Sequence, residues 1–118
     1  MLSPFERGLV ATLIADWLLQ NDWMARNKVS LRHPAAWVHA GIHVLLLSLA
    51  LSWRAGLVLG LIHMLVDTRL PLRWWQQVFR QTVEGPIGLI VKVVGDQVLH
   101  VVAIAAWIQI TAWLEWPL

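Results

Sequence analysis

Four runs of apolar residues, at 2–20, 35–53, 55–67 and 86–113, divide the chain, and none alternates with the period of two that a half-buried strand requires. Each run therefore predicts a helix. The third is about two-thirds of the roughly 20 residues that cross a bilayer, so as a span it needs a thinned membrane, little tilt or shielding by its neighbours. The fourth is longer than a span needs. Lys92 marks where it would leave the headgroups, making 93–113 the span and 86–91 a lead-in. Residues 71–83 follow a different rule: Leu72, Trp75, Phe79 and Val83 recur at helical spacing, with Arg73, Gln77, Arg80 and Glu84 on the opposite stripe. This predicts an amphipathic helix along the inner membrane surface, ended by Gly85 and Pro86. It serves either as an anchor for the bundle or as a lid over a site opening at that leaflet.

Composition makes the solvent of these helices explicit. Of 118 residues, 58% are hydrophobic and 14% charged, against about a quarter charged in an average soluble domain. A chain this short has too much surface to cover its apolar side chains with so few charges unless part of its solvent is lipid. The expected architecture is all-α, a single integral membrane domain over residues 1–118 with four transmembrane helices and one interfacial helix. No basic region precedes the first run, and Asp16 interrupts it, so it is expected to be retained and not cleaved as a signal peptide.

Charge placement predicts the topology. Arg26, Lys28 and Arg32 lie between the first two helices and Arg69, Arg73 and Arg80 between the last two, with only Arg54 in the middle turn. By the positive-inside rule both basic loops face the cytoplasm and both termini face outward, in a multi-pass protein of the cell (inner) membrane. The tryptophans agree: Trp23, Trp37, Trp74 and Trp75 fall at the inner boundary, and Trp53, Trp113 and Trp116 at the outer one. Lys28 reads as a topology determinant or as a snorkelling, lipid-contacting residue. His33 and Pro34 open the second helix, Asp22 belongs to a cap or turn, and Trp17 and Trp107 are packing residues. The net charge of +2 without a basic stripe argues against nucleic acid, leaving the bilayer, membrane proteins or further copies of the chain as partners. The absence of cysteine excludes disulfides, thiolate metal sites and a cysteine nucleophile.

The scarce polar residues inside the apolar runs come in pairs: Asp16 with Gln20, His39 with His43, His63 with Asp67, and Asp96 with His100, the last joined by Gln97. Every pair is spaced i, i+4, so each helix presents both members on one face. Because the helices alternate in direction, Asp16, His43, His63 and His100 form a deep layer, and Gln20, His39, Asp67 and Asp96 a layer nearer the cytoplasmic rim. Ionisable groups are expensive in lipid, and three imidazoles with a carboxylate suit a borderline divalent cation such as zinc or iron. The candidate metal ligands are Asp16, His43, His63 and His100, with His39; Gln20 and Gln97 would orient them, and Asp67 or Asp96 would act as base or hold a histidine tautomer. The shallow residues could instead complete a second metal position. The alternatives are an interhelical hydrogen-bond network and, less suited to carboxylates, a haem ligated by two imidazoles. A proton relay finds no continuation, since Gln109 lies nine residues from His100 and faces the other way.

The run Asp16-Trp17-Leu18-Leu19-Gln20-Asn21-Asp22-Trp23-Met24-Ala25 with Lys28, then His39, Ile62-His63-Met64-Leu65-Val66-Asp67 and Asp96-Gln97-Val98-Leu99-His100, resembles the bacterial and phage membrane-protein family known as domain of unknown function 3307. The resemblance covers nearly the whole chain. It implies a histidine four residues before Asp16, where this chain has Thr12. A more distant similarity to predicted membrane-bound metal-dependent hydrolases implies a reaction class: hydrolysis of a lipid-linked or other membrane-delivered substrate, with a metal-activated water as nucleophile. The competing expectation is a small accessory subunit of a larger membrane complex, because four short helices enclose little substrate volume.

Overall fold

Local chemistry sets where the helices begin. Ser3 accepts a hydrogen bond from the Glu6 amide at 3.3 Å while the Glu6 carboxylate accepts from the Ser3 amide at 2.6 Å, a capping box with Pro4 in the first turn. Asn21 and not Asp22 caps the second helix, its side-chain oxygen accepting from the Met24 amide at 2.9 Å. His33 Nδ1 accepts from the Ala35 amide at 3.0 Å ahead of Pro34, and Ser52 caps the helix that follows. In the computed structural model, which describes residues 1–118, these signals produce α1 (Pro4–Leu13), α2 (Asp22–Asn27), α3 (Pro34–Ala50), α4 (Trp53–Asp67), α5 (Leu70–Val78) and α6 (Gly85–Trp113), with no strand.

Three departures from the sequence expectation have local causes. The first apolar run is not one α-helix: α1 widens at its end into a single π turn, Ile14–Leu18, and the chain then breaks before Asn21. The π turn buries Ala15 and Asp16 while leaving Trp17 and Leu18 exposed. The amphipathic segment ends at Val78, because Arg80 takes a left-handed conformation (φ 50°), so Val83 and Glu84 lie outside it. No separate lead-in precedes the last span, since α6 runs unbroken from Gly85.

Of the four expected spans, one helix, α6, is long and apolar enough by itself to cross a membrane. Helices α4 and α5 reach that length only as a pair bent by 60°, and α3 is apolar but shorter. At about 1.5 Å per residue, α3 and α4 are roughly 25 and 22 Å long, short of the roughly 30 Å hydrocarbon core.

Helices α3 and α4 form the tightest pair. A Cβ on Gly56 would stand 1.9 Å from Ser48 Oγ and 2.6 Å from the Val44 carbonyl, so only glycine permits this approach. Ala11, Leu47, Ala55, Leu59 and Ile104 then make a small apolar core where α1, α3, α4 and α6 meet. Arg7 Nε donates to the Ala50 carbonyl at 2.8 Å, and Ser52 Oγ contacts the Leu118 carbonyl, gathering residues 2–7, the α3–α4 turn and Leu118 at one end. Lys28, Arg69 and Lys92 meet around one cavity away from that end. The outside is more apolar than the inside: Leu45, Leu49, Leu57, Leu61, Val94, Val98 and Val102 are exposed, whereas the histidines of the helix faces are buried.

Candidate metal centre

Each polar pair presents at least one side chain inward. Asp16 comes from the π turn, His39 and His43 from successive turns of α3, His63 and Asp67 from α4, and His100 from α6; all six are buried. His39 Nε2 and His43 Nε2 lie 3.1 and 3.0 Å from the same oxygen, Asp16 Oδ1. His63 Nε2 stands 3.0 Å from His39 Nε2 and 3.6 Å from Asp16 Oδ1. Four donors therefore converge on one point. Four ligands at about 2.0–2.1 Å around a tetrahedral zinc stand roughly 3.3 Å from each other, close to these separations.

The same distances overload a plain hydrogen-bond network. A ring nitrogen has one proton or one lone pair, yet His63 Nε2 has His39 Nε2, Asp16 Oδ1 and Asp67 Oδ2, the last at 2.9 Å, all within 3.6 Å. A cation among the four donors relieves that conflict. Asp16 Oδ2, His39 Nδ1 and His43 Nδ1 are buried without a partner. His39 and His43 thus lack the outward Nδ1 hydrogen bond that usually steadies a metal-bound histidine.

A second group, His63, Asp67 and His100, shares His63 with the first. His100 Nδ1 is 3.1 Å from His63 Nδ1, and the two rings stack with centroids 4.1 Å apart. The two layers expected from helix direction are merged. Residues four apart differ by about 6 Å along a helix, and imidazole side chains bridge that distance, so His39 and Asp67 join the centre. Asp96 stays at the rim, 3.6 Å from His100 Nε2. Gln20 and Gln97 border the adjacent cavity without hydrogen-bonding to any histidine. The gap among Thr12, His43, His63 and His100 is about 10 Å³, which leaves no slot for a porphyrin between the imidazoles.

Lys28 is the residue the sequence reading missed. It is buried, with Nζ 3.2 Å from Asp67 Oδ1, and compensates one of the two buried carboxylates. A lone lysine in a basic loop has no periodic signal; its only mark was its place in the motif carrying the family resemblance. Thr12 is buried against His43, His63 and His100, so the position at which the resemblance implies a histidine faces the same centre.

No curated protein and no solved structure matches the chain. A family model described as protein of unknown function (DUF3307) matches residues 5–117, and over that length the chain belongs to this family.

Proposed function

We propose that this protein is an integral membrane helical bundle whose Asp16–His39–His43–His63 centre binds a divalent metal, zinc fitting best, and serves hydrolysis of a membrane-associated substrate. The convergence of four donors at 3.0–3.6 Å carries the proposal. Multi-pass insertion is supported by the outward apolar side chains of α3, α4 and α6. With α1 and its π turn, these helices would make four passes in a locally thinned bilayer, the basic loops toward the cytoplasm. A divalent ion at the centre supplies Lewis acidity to a hydrolytic step. Asp96, at the rim beside His100, would accept a proton from water entering the neighbouring cavity; Asp67, clamped by Lys28 and 3.5 Å from His100 Nε2, would hold that ring.

Metal analysis of detergent-purified protein tests this. Wild type is expected to hold one zinc per chain, and His63→Ala and Asp16→Asn to lose it while remaining helical. No stoichiometric metal in the wild type would refute the centre. The buried Lys28–Asp67 ion pair favours a second reading, an accessory subunit whose cluster is structural. Co-purification with a fixed membrane partner and no metal would select it.

A further inference from the structure

Beside the centre lies a cavity of about 190 Å³ bordered by Asp16 and Asp96 and by three cations, Lys28, Arg69 and Lys92. Lys28 is engaged by Asp67 at 3.2 Å. Arg69 and Lys92 have no carboxylate within ion-pair distance, so their charge is free for a ligand. Arg69 also occupies a left-handed backbone conformation, φ 64°, where it forms the N-cap of α5 without a side-chain capping bond. Arginine is disfavoured there, and such strain persists where the surroundings enforce it.

The charge balance indicates the ligand. Asp16, Asp67 and Asp96 offset Lys28, Arg69 and Lys92, so a divalent ion at the centre would leave an excess of positive charge beside the cavity. That complements a phosphate monoester. Arginine's planar fork suits phosphate oxygens, and Lys92 adds a point charge from α6. The volume is below the roughly 300 Å³ at which pockets for drug-sized ligands begin, so it admits a phosphorylated head and not a whole amphiphile. The larger apolar groove of about 590 Å³, lined by Leu72, Val94 and Val98, meets the opposite face of α6 and does not extend this cavity.

We propose that this cavity is a phosphate-binding subsite, with Arg69 and Lys92 as its anion contacts, and that the substrate of the metal centre carries a phosphate group. The role as substrate subsite and the excess positive charge rest on the metal-dependent hydrolase reading, whereas the two cations without an ion-pair partner, Arg69 and Lys92, do not. Calorimetry on the full chain in dodecyl maltoside, with and without zinc, would use inorganic phosphate, dioctanoyl phosphatidic acid and dioctanoylglycerol as probes. Phosphatidic acid and phosphate are expected to bind and dioctanoylglycerol not to. Arg69→Gln and Lys92→Gln should each weaken binding about tenfold, with zinc content and helicity unchanged, and Arg69→Lys should recover part of the loss.

Phosphatidic acid binding at least about tenfold tighter than phosphate would identify a lipid headgroup as the source. Equal binding would identify a soluble phosphate compound; both support the subsite. Unchanged binding in the double variant, or dioctanoylglycerol binding as tightly as phosphatidic acid, would overturn it. A wild type that holds zinc but binds neither phosphate probe leaves the metal centre standing and sinks the subsite. A wild type without zinc whose phosphate binding still depends on Arg69 and Lys92 does the reverse.

Discussion

Replacing Lys28 by methionine isolates the electrostatics of the buried centre. The ammonium lies 3.2 Å from Asp67 Oδ1, with side-chain exposures of 10% and 2%. At an effective dielectric constant of about 20, two unit charges at this separation attract by roughly 5 kcal/mol. Part of that is offset, because Asp67 keeps His63 Nε2 at 2.9 Å and methionine refills the space of the lysine stem. The expected loss of stability is about 3 kcal/mol, the lower edge of the range for stripping one partner from a buried pair. Removing both charges, as Lys28→Met with Asp67→Asn, should restore about half of it, since the cost comes largely from an uncompensated carboxylate. Denaturant titration in mixed micelles, followed by circular dichroism with chelator present to remove any metal, reads both numbers. A single-variant loss under about 0.5 kcal/mol, the range of ordinary surface substitutions, would refute the pairing.

Other consequences concern packing, strain and orientation. Gly56→Ala places a methyl group 1.9 Å from Ser48 Oγ and should cost about 1–3 kcal/mol by the same titration, whereas Gly41→Ala, with nothing within 4 Å, should be neutral or stabilising by up to about 1 kcal/mol. Arg69→Gly relieves a left-handed backbone and should raise stability by about 1 kcal/mol while weakening phosphate binding; a loss of stability would show that the arginine conformation is unstrained. Because the chain has no cysteine, Ser3→Cys and Ser30→Cys give single labelling sites. Membrane-impermeant maleimide should reach the first from outside and the second only from the cytoplasm, and labelling of both from one face would overturn the proposed topology.

The i, i+4 spacing was enough to determine that His39 and His43, His63 and Asp67, and Asp96 and His100 share helix faces, because 3.6 residues per turn aligns them whatever the helix packs against, whereas Asp16 and Gln20 do not, since Gln20 lies past the end of the π turn. It identified Asp16, His39, His43, His63, Asp67 and His100, the residues now found in contact. Helix starts were legible at Pro34 and Pro86, where proline's missing amide is harmless only in a first turn. Tertiary structure decided the rest. The π turn that inserts Asp16 between two histidines of α3 has no signature in hydrophobic periodicity, since it depends on what the helix end packs against. The 60° bend between α4 and α5 belongs to the connection and not to either helix. Lys28 reaches Asp67 across 39 positions of sequence, a pairing set by burial and charge compensation alone. Periodicity is a property of one helix, so it determines a face; convergence of Asp16, His39, His43 and His63 on a common point is a property of three elements together, and only their packing could supply it.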